Sequence, residues 1–216
     1  MPQDPNKWQK EADRGTEIHN WWYSLTTDTP EPPPCPPRYQ SVWLSEAERM
    51  DPGGEAEIHL ILCERGGQPL VLEADEDDPL PTLPDGASLV FRGTADRAGR
   101  GPDGKRPWVE DLKTGRKKVS PRSWQLQAYG LMWWVYLKRP SYGVDTSILD
   151  WFRDLKREGE ARRRPTHLTP GTLFGAWQTF LKLRERVARR EPPNPGPECG
   201  MCPVAGSCPA LTRVPF

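Results

Sequence analysis

Residues 88–114 constrain this chain more than any other stretch. Ser88–Asp96 is rich in apolar and β-branched residues, Trp108–Thr114 reads as a returning strand, and Asp103-Gly104 between them is a hairpin turn signal. Side chains alternate along a strand, so Asp111 and Lys113 point to one face and Leu112 to the other, towards a core. Pairing across the hairpin carries Asp96 to the face of Asp111. Two carboxylates and one ammonium then meet on a single patch of sheet.

The flanking segments extend the pattern. Trp8–Leu25 is amphipathic and contains Gly15 and His19; the tract TPEPPPCPP ends it in a loop around Cys35. Ser45 and Glu48 form a capping signal for a short second helix. Glu57–Leu62 alternates as a strand, with Gly66-Gly67 as a turn before Pro69–Glu73. Glu57 is read as entering the site and His59 as facing outward. Ser123–Leu137 has helical periodicity, and Val144–Trp151 is the next strand. A basic loop, KREGEARRRP, then leads to a helix from about Thr169 to Arg190 with the apolar stripe Leu173, Phe174, Trp177, Phe180, Leu181 and Val187. The order is helix, three strands, helix, strand, then a C-terminal lobe bearing cysteines. It predicts a mixed α/β core over residues 1–165 and a helix and cysteine lobe over 166–216.

Composition sets the bounds. A chain of 216 residues makes one domain with room for a small appendage. Only 35% of residues are hydrophobic, and 26 prolines with 19 glycines imply extensive loops; ten tryptophans enlarge the modest core. No apolar run approaches the roughly 18–20 residues that span a bilayer, so no spanning helix and no membrane partner are expected. The polar start, MPQDPNKWQKE, has no apolar signal region, so an intracellular, cytoplasmic setting in a bacterial or phage-infected cell is expected. Net charge is zero but unevenly spread: residues 1–111 carry 22 acidic and 11 basic side chains, and residues 112–216 carry 8 and 19. A basic half can follow a phosphate backbone while acidic groups elsewhere hold divalent cations.

Two carboxylates beside a lysine suit phosphodiester hydrolysis. The acids hold Mg²⁺ or Mn²⁺, which lowers the pKa of bound water, and the ammonium orients that water or offsets developing charge. A bare D-x-K is more often an exposed cross-strand ion pair worth about 0–1 kcal/mol. The ordered set is more specific. GTEIH (Gly15–His19), GTAD (Gly93–Asp96), EDLKTG (Glu110–Gly115) and QLQAY (Gln125–Tyr129) together resemble the PD-(D/E)XK nuclease superfamily, in particular RecB-like and CRISPR-adaptation nucleases with a cysteine-ligated cluster. The resemblance runs from about residue 10 to residue 210.

It implies a restriction-endonuclease-like core, α-β-β-β-α-β, and a metal-dependent DNA nuclease, in particular an exonuclease. The alternative is an inactive nuclease-derived DNA-binding or scaffolding subunit. His19, Asp96, Asp111 and the Leu112 carbonyl would bind Mg²⁺ or Mn²⁺, and Lys113 would be the catalytic lysine. Gln125 and Tyr129, four apart on one helix face, would contact DNA or support the site. Arg116, Lys117 and Lys118 follow the catalytic strand as backbone contacts, with Arg162–Arg164 and the arginines of the last helix as a second basic zone. Trp21, Trp22, Trp133 and Trp134 are core residues or base-stacking platforms. The partners would be single-stranded or duplex-end DNA and recombination, phage or CRISPR proteins.

Three of the five cysteines lie in C-x2-C-x5-C at Cys199, Cys202 and Cys208, which points to metal rather than a disulfide framework. Three thiolates close neither a zinc site nor a four-iron cluster, so a fourth ligand is needed. The resemblance implies a [4Fe–4S] cluster, with Zn²⁺ as the alternative. The family's first cysteine normally precedes the G-x-x-x-H element, and here none does. Cys35 is favoured as the fourth ligand, and Cys63 is the other candidate.

Overall fold

The computed structural model describes residues 7–24, 54–75, 82–114, 119–150 and 162–189. The chain forms two compact units, Met1–Trp177 and Gln178–Phe216. Among the described residues are three helices, α1 (Lys7–Ser24), α2 (Trp124–Tyr136) and α3 (Pro170–Ala188). The strands are β1 (Gly54–Arg65), β2 (Gln68–Glu73), β3 (Ala87–Arg100), β4 (Pro107–Lys113), β5 (Val144–Asp150) and β6 (Arg162–Leu168).

All six strands make one mixed sheet in the order β2-β1-β3-β4-β5-β6. The β4–β5 pair is parallel, as its connection through α2 requires, and every other pair is antiparallel. The hairpin expected at Asp103-Gly104 joins β3 to β4, with Arg100 opposite Pro107 and Arg97 opposite Glu110. Its tip closes through Gly104 N–H to the Gly101 carbonyl (2.7 Å) and Gly101 N–H to the Arg106 carbonyl (2.8 Å).

Two strands exceed those expected, and both are sheet edges among the described residues. β2 follows the Gly66-Gly67 turn and pairs with β1 from Arg65–Gln68 to Leu60–Glu73. β6 contains the arginine run read as a basic loop. Pro165 has no N–H to give, a defect that an edge strand tolerates, and β5 supplies the ladder from Val144–Leu168 to Asp150–Arg162. Here backbone pairing outweighs local composition.

The core lies along β1, β4, β5 and α2. Leu60, Ile61, Leu62, Ile148 and Leu149 are buried, as are Leu126, Leu131 and Met132 of α2. Ser123 caps α2, its Oγ accepting from Leu126 N–H at 3.3 Å. Trp133 anchors the helix to the sheet by donating to the Gly99 carbonyl at 3.0 Å. Trp21, Trp22, Trp133 and Trp134 are all buried. They are core residues, and the base-stacking alternative is withdrawn.

The stripe expected on α3 is only partly internal. Leu173, Ala176 and Trp177 are buried, whereas Phe174 and Val187 are exposed. Cys63 lies fully buried in β1, and burial pushes its thiol pKa up. The short helix expected at Ser45–Glu48 lies outside the described residues, as do Cys35, Cys199, Cys202 and Cys208 and Arg116–Lys118. No helix among the described residues is long and apolar enough to cross a membrane.

Candidate active site

The β3–β4 register decides which side chains share a face. Arg97 pairs with Glu110 on one side of the sheet; Asp96 and Asp111, one step further, belong to the other. Asp96 Oδ2 accepts from the Leu112 backbone N–H at 2.6 Å, tying the two strands together where the ladder ends. Lys113 Nζ lies 2.8 Å from Asp111 Oδ2, and His19 Nδ1 lies 3.7 Å from Asp96 Oδ1. His19, Asp96, Asp111 and Lys113 are therefore gathered at one place. The Leu112 side chain turns away and is buried.

Two glycines explain why short motifs surround these residues. A Cβ at Gly15 would stand 3.1 Å from Thr114 Oγ1, so this position brings α1 close to the end of β4. One turn later the same helix face presents His19 to Asp96. A Cβ at Gly93 would stand 2.7 Å from the Tyr129 ring and 2.8 Å from Phe91, closer than side chains tolerate. Gly93 thus makes room for α2 above β3.

Lys113 is held from two sides. Besides Asp111, it donates to Gln125 Oε1 at 2.9 Å, and Gln125 Nε2 donates to the Tyr129 hydroxyl at 3.0 Å. Tyr129 is buried, and its hydroxyl accepts from Gln125. The i, i+4 pair forms a chain behind the lysine.

Electrostatics make the acids unusual. Burial raises both Asp96 and Asp111 to about 6, against the Leu112 hydrogen bond and the Lys113 charge respectively. The Asp96 charge also raises Asp111. Burial lowers the His19 pKa, keeping the imidazole neutral and able to act as a ligand. Among the described residues no group of three or more His, Cys, Asp or Glu side chains is placed to hold a metal ion. Mg²⁺ does not need one, since one or two carboxylates with waters and substrate phosphates commonly suffice. Two desolvated, mutually repelling carboxylates beside a neutral histidine fit such a hard cation.

Other residues complete the surroundings. Glu57 lies level with Asp96, between the Ala56–Arg97 and Ile58–Ala95 pairs, in a left-handed backbone conformation (φ 49°). That conformation costs on the order of 1–3 kcal/mol for a non-glycine residue. Its charge raises both Asp96 and His19. His59 instead pairs with Thr94, Nδ1 to Oγ1 at 2.8 Å. Trp124, the first residue of α2 and neighbour of Gln125, is exposed. Sequence reasoning passed it over because it sits outside the apolar periodicity. Arg163, read as part of a DNA-facing basic zone, is instead drawn to Glu110 at 2.7 Å on the reverse face of the sheet.

A mixed six-stranded sheet that presents D…D-x-K beside a helix-borne histidine defines a nuclease-type scaffold. The sequence profile of the PD-(D/E)XK nuclease superfamily matches residues 2–209, and the chain belongs to that superfamily. Its members are generally metal-dependent nucleases, and the architecture is consistent with a restriction-endonuclease-like fold. No curated protein and no solved structure matches the chain.

Proposed function

We propose that this protein is a Mg²⁺- or Mn²⁺-dependent deoxyribonuclease acting on DNA ends as an exonuclease, in recombination, repair, phage replication or CRISPR adaptation. The supporting observation is the convergence of Asp96, Asp111 and Lys113 on one face, with Lys113 Nζ 2.8 Å from Asp111. Asp96, Asp111, His19 and the Leu112 carbonyl are the groups that would hold the cation. When bound, the cation supplies an activated water and offsets phosphate charge.

The chain's own residues do the rest. Water attacks phosphorus and gives up a proton to the surrounding solvent, the bond to the leaving sugar oxygen breaks, and that oxygen takes up a proton from solvent. Lys113, held by Asp111 and steered by Gln125, directs its one remaining ammonium proton at a phosphate oxygen or the attacking water. Tyr129 holds Gln125 in turn. Cys35, Cys199, Cys202 and Cys208 are proposed as a structural staple around [4Fe–4S] or Zn²⁺, supported by the C-x2-C-x5-C spacing and tested by metal analysis and visible absorbance.

Incubation of 5′- and 3′-labelled single- and double-stranded DNA with Mg²⁺ or Mn²⁺ tests the nuclease reading. Stepwise shortening from an end that stops in EDTA is expected. Binding without any cleavage under every condition would favour a nuclease-derived DNA-binding or scaffolding subunit instead.

A further inference from the structure

Far along β4 from the carboxylates, the hairpin tip carries chemistry that the site above does not use. Arg100, Lys105 and Arg106 are exposed there beside a single acid, Asp103. That acid is occupied by the turn: Oδ1 accepts from the backbone N–H groups of Lys105 (2.9 Å) and Arg106 (3.2 Å), and Oδ2 lies 3.5 Å from Arg106 Nε. The backbone bonds hold the Asp103 pKa below its ordinary value, so it stays ionised and committed to the turn. Arg100 donates to the Gly104 carbonyl at 3.1 Å, and Lys105 forms no ion pair among the described residues.

Across from the tip, the loop entering β5 supplies an aromatic wall. Tyr142 is 40% exposed, with the Arg106 guanidinium 5.7 Å from its ring centroid and the His167 ring 4.6 Å away. Its hydroxyl donates to Asp145 at 3.1 Å, which fixes the ring plane. Between tip and loop is a cleft of about 540 Å³ lined by Arg100, Asp103, Lys105, Arg106, Ser141 and Tyr142. That volume lies within the usual range for ligand clefts. Excess positive charge beside a rigid exposed ring suits a single nucleic-acid strand: the cations take phosphates and the ring stacks a base.

We propose that this cleft is a second strand-holding site, gripping substrate DNA upstream or downstream of the scissile phosphate; the inference rests on the nuclease reading. Asp145, which anchors Tyr142, pairs with Trp108 on the Glu110 face, so the ring stands on the side of the sheet away from Asp111. Arg106 is about 17 Å from Asp111 at strand rise, and a strand reaching both must also pass from one face to the other, a path of more than about five nucleotides at about 3.4 Å per stacked step. The cleft therefore engages long strands and never meets very short ones.

The test uses the full-length protein and a fluorescein-labelled 20-nucleotide single strand, with affinity measured by anisotropy in EDTA across a salt series. The double variant Lys105→Ala, Arg106→Ala is expected to weaken binding on the order of tenfold and to reduce the salt slope by about 1.4, or 0.7 per lost phosphate contact. Tyr142→Ala weakens binding further, while Tyr142→Phe retains it. With Mg²⁺ or Mn²⁺, KM for the 20-mer rises with kcat unchanged, and cleavage of a tetranucleotide is unaffected. Unchanged affinity and salt slope in the double variant, or equal losses on the tetranucleotide and the 20-mer, would overturn the proposal while leaving the nuclease reading intact. Efficient competition by an acidic peptide at equal charge would overturn it in favour of a protein partner. Absence of both binding and cleavage in the unaltered protein would remove the two readings together.

Discussion

Glu110 and Asp111 are consecutive acids on β4, both nearly inaccessible, yet they have opposite surroundings. Glu110 faces the reverse side of the sheet, where Arg163 donates at 2.7 Å and Ser147 at 2.8 Å, with Arg97 4.0 Å away. The Arg97 guanidinium is itself placed 5.6 Å from the Trp22 ring and 5.2 Å from the Trp108 ring. Asp111 faces α2 with one ammonium, a neighbouring acid and a neutral histidine. One carboxylate is saturated by partners of its own chain; the other is left in need of positive charge. Strand alternation thus separates a charge-compensated acid from the acid proposed to act in cleavage across a single peptide bond.

Removing each acid in turn tests that contrast. Asp111→Ala and Lys113→Ala are expected to reduce cleavage by about 10³-fold or more while DNA binding in EDTA persists. Retained activity in either purified variant would break the comparison at its reactive side. Glu110→Ala leaves arginines facing a vacated buried site and is expected to cost about 3 kcal/mol of stability, read as a lower denaturant midpoint. A midpoint no lower than that of Asp111→Ala would show the two acids to be equivalent.

A pH series sharpens the same point. Asp96 and Asp111 have folded pKa values of about 6, above the ordinary 3.8, so the folded protein binds their protons more tightly than the unfolded chain does. Their favourable contribution is complete below pH 4 and is lost as pH rises through 6. In EDTA, stability is expected to fall between pH 4 and pH 7, and Asp111→Asn to recover on the order of 2 kcal/mol at pH 7.5. Melting curves decide the matter; a variant less stable than the parent at pH 7.5 would reverse the sign. Mg²⁺ or Mn²⁺ is expected to raise the melting temperature more at pH 7.5 than at pH 5, since only the ionised acids bind it.

The smallest effect falls on the chain behind the lysine. Gln125→Ala is expected to lower kcat about 10–100-fold with KM for DNA unchanged. Tyr129→Phe removes only the hydroxyl that Gln125 donates to and is expected to produce a smaller loss. An increase in KM as the main change would make Gln125 a DNA contact instead.

Several of these features are legible in the sequence because they are local. The Asp103-Gly104 turn, the alternation of Asp111, Leu112 and Lys113, and the Ser123 cap each depend on a few neighbouring residues. The G-x-x-x-H spacing similarly places Gly15 and His19 on one helix face. Edge strand β6 was hidden because Arg162–Pro165 has the composition of a solvated loop and acquires its ladder from β5. Arg163 looked like a DNA contact because its partner, Glu110, is 53 residues away in sequence. The sequence left open whether Tyr129 contacts DNA or supports the site, because its burial depends on packing against distant Gly93.

Strand periodicity and turn residues assigned the faces of β4 and the hairpin before it, since these follow from backbone geometry over a few residues, and the ordered motifs carried the family resemblance. Tertiary structure decided which charges are neutralised. It joined Arg163 to Glu110, set Gln125 and Tyr129 behind Lys113, and brought Asp96 to the Leu112 amide. Burial and long-range pairing determine the solvation of each charge, and neither is encoded in any short stretch of chain.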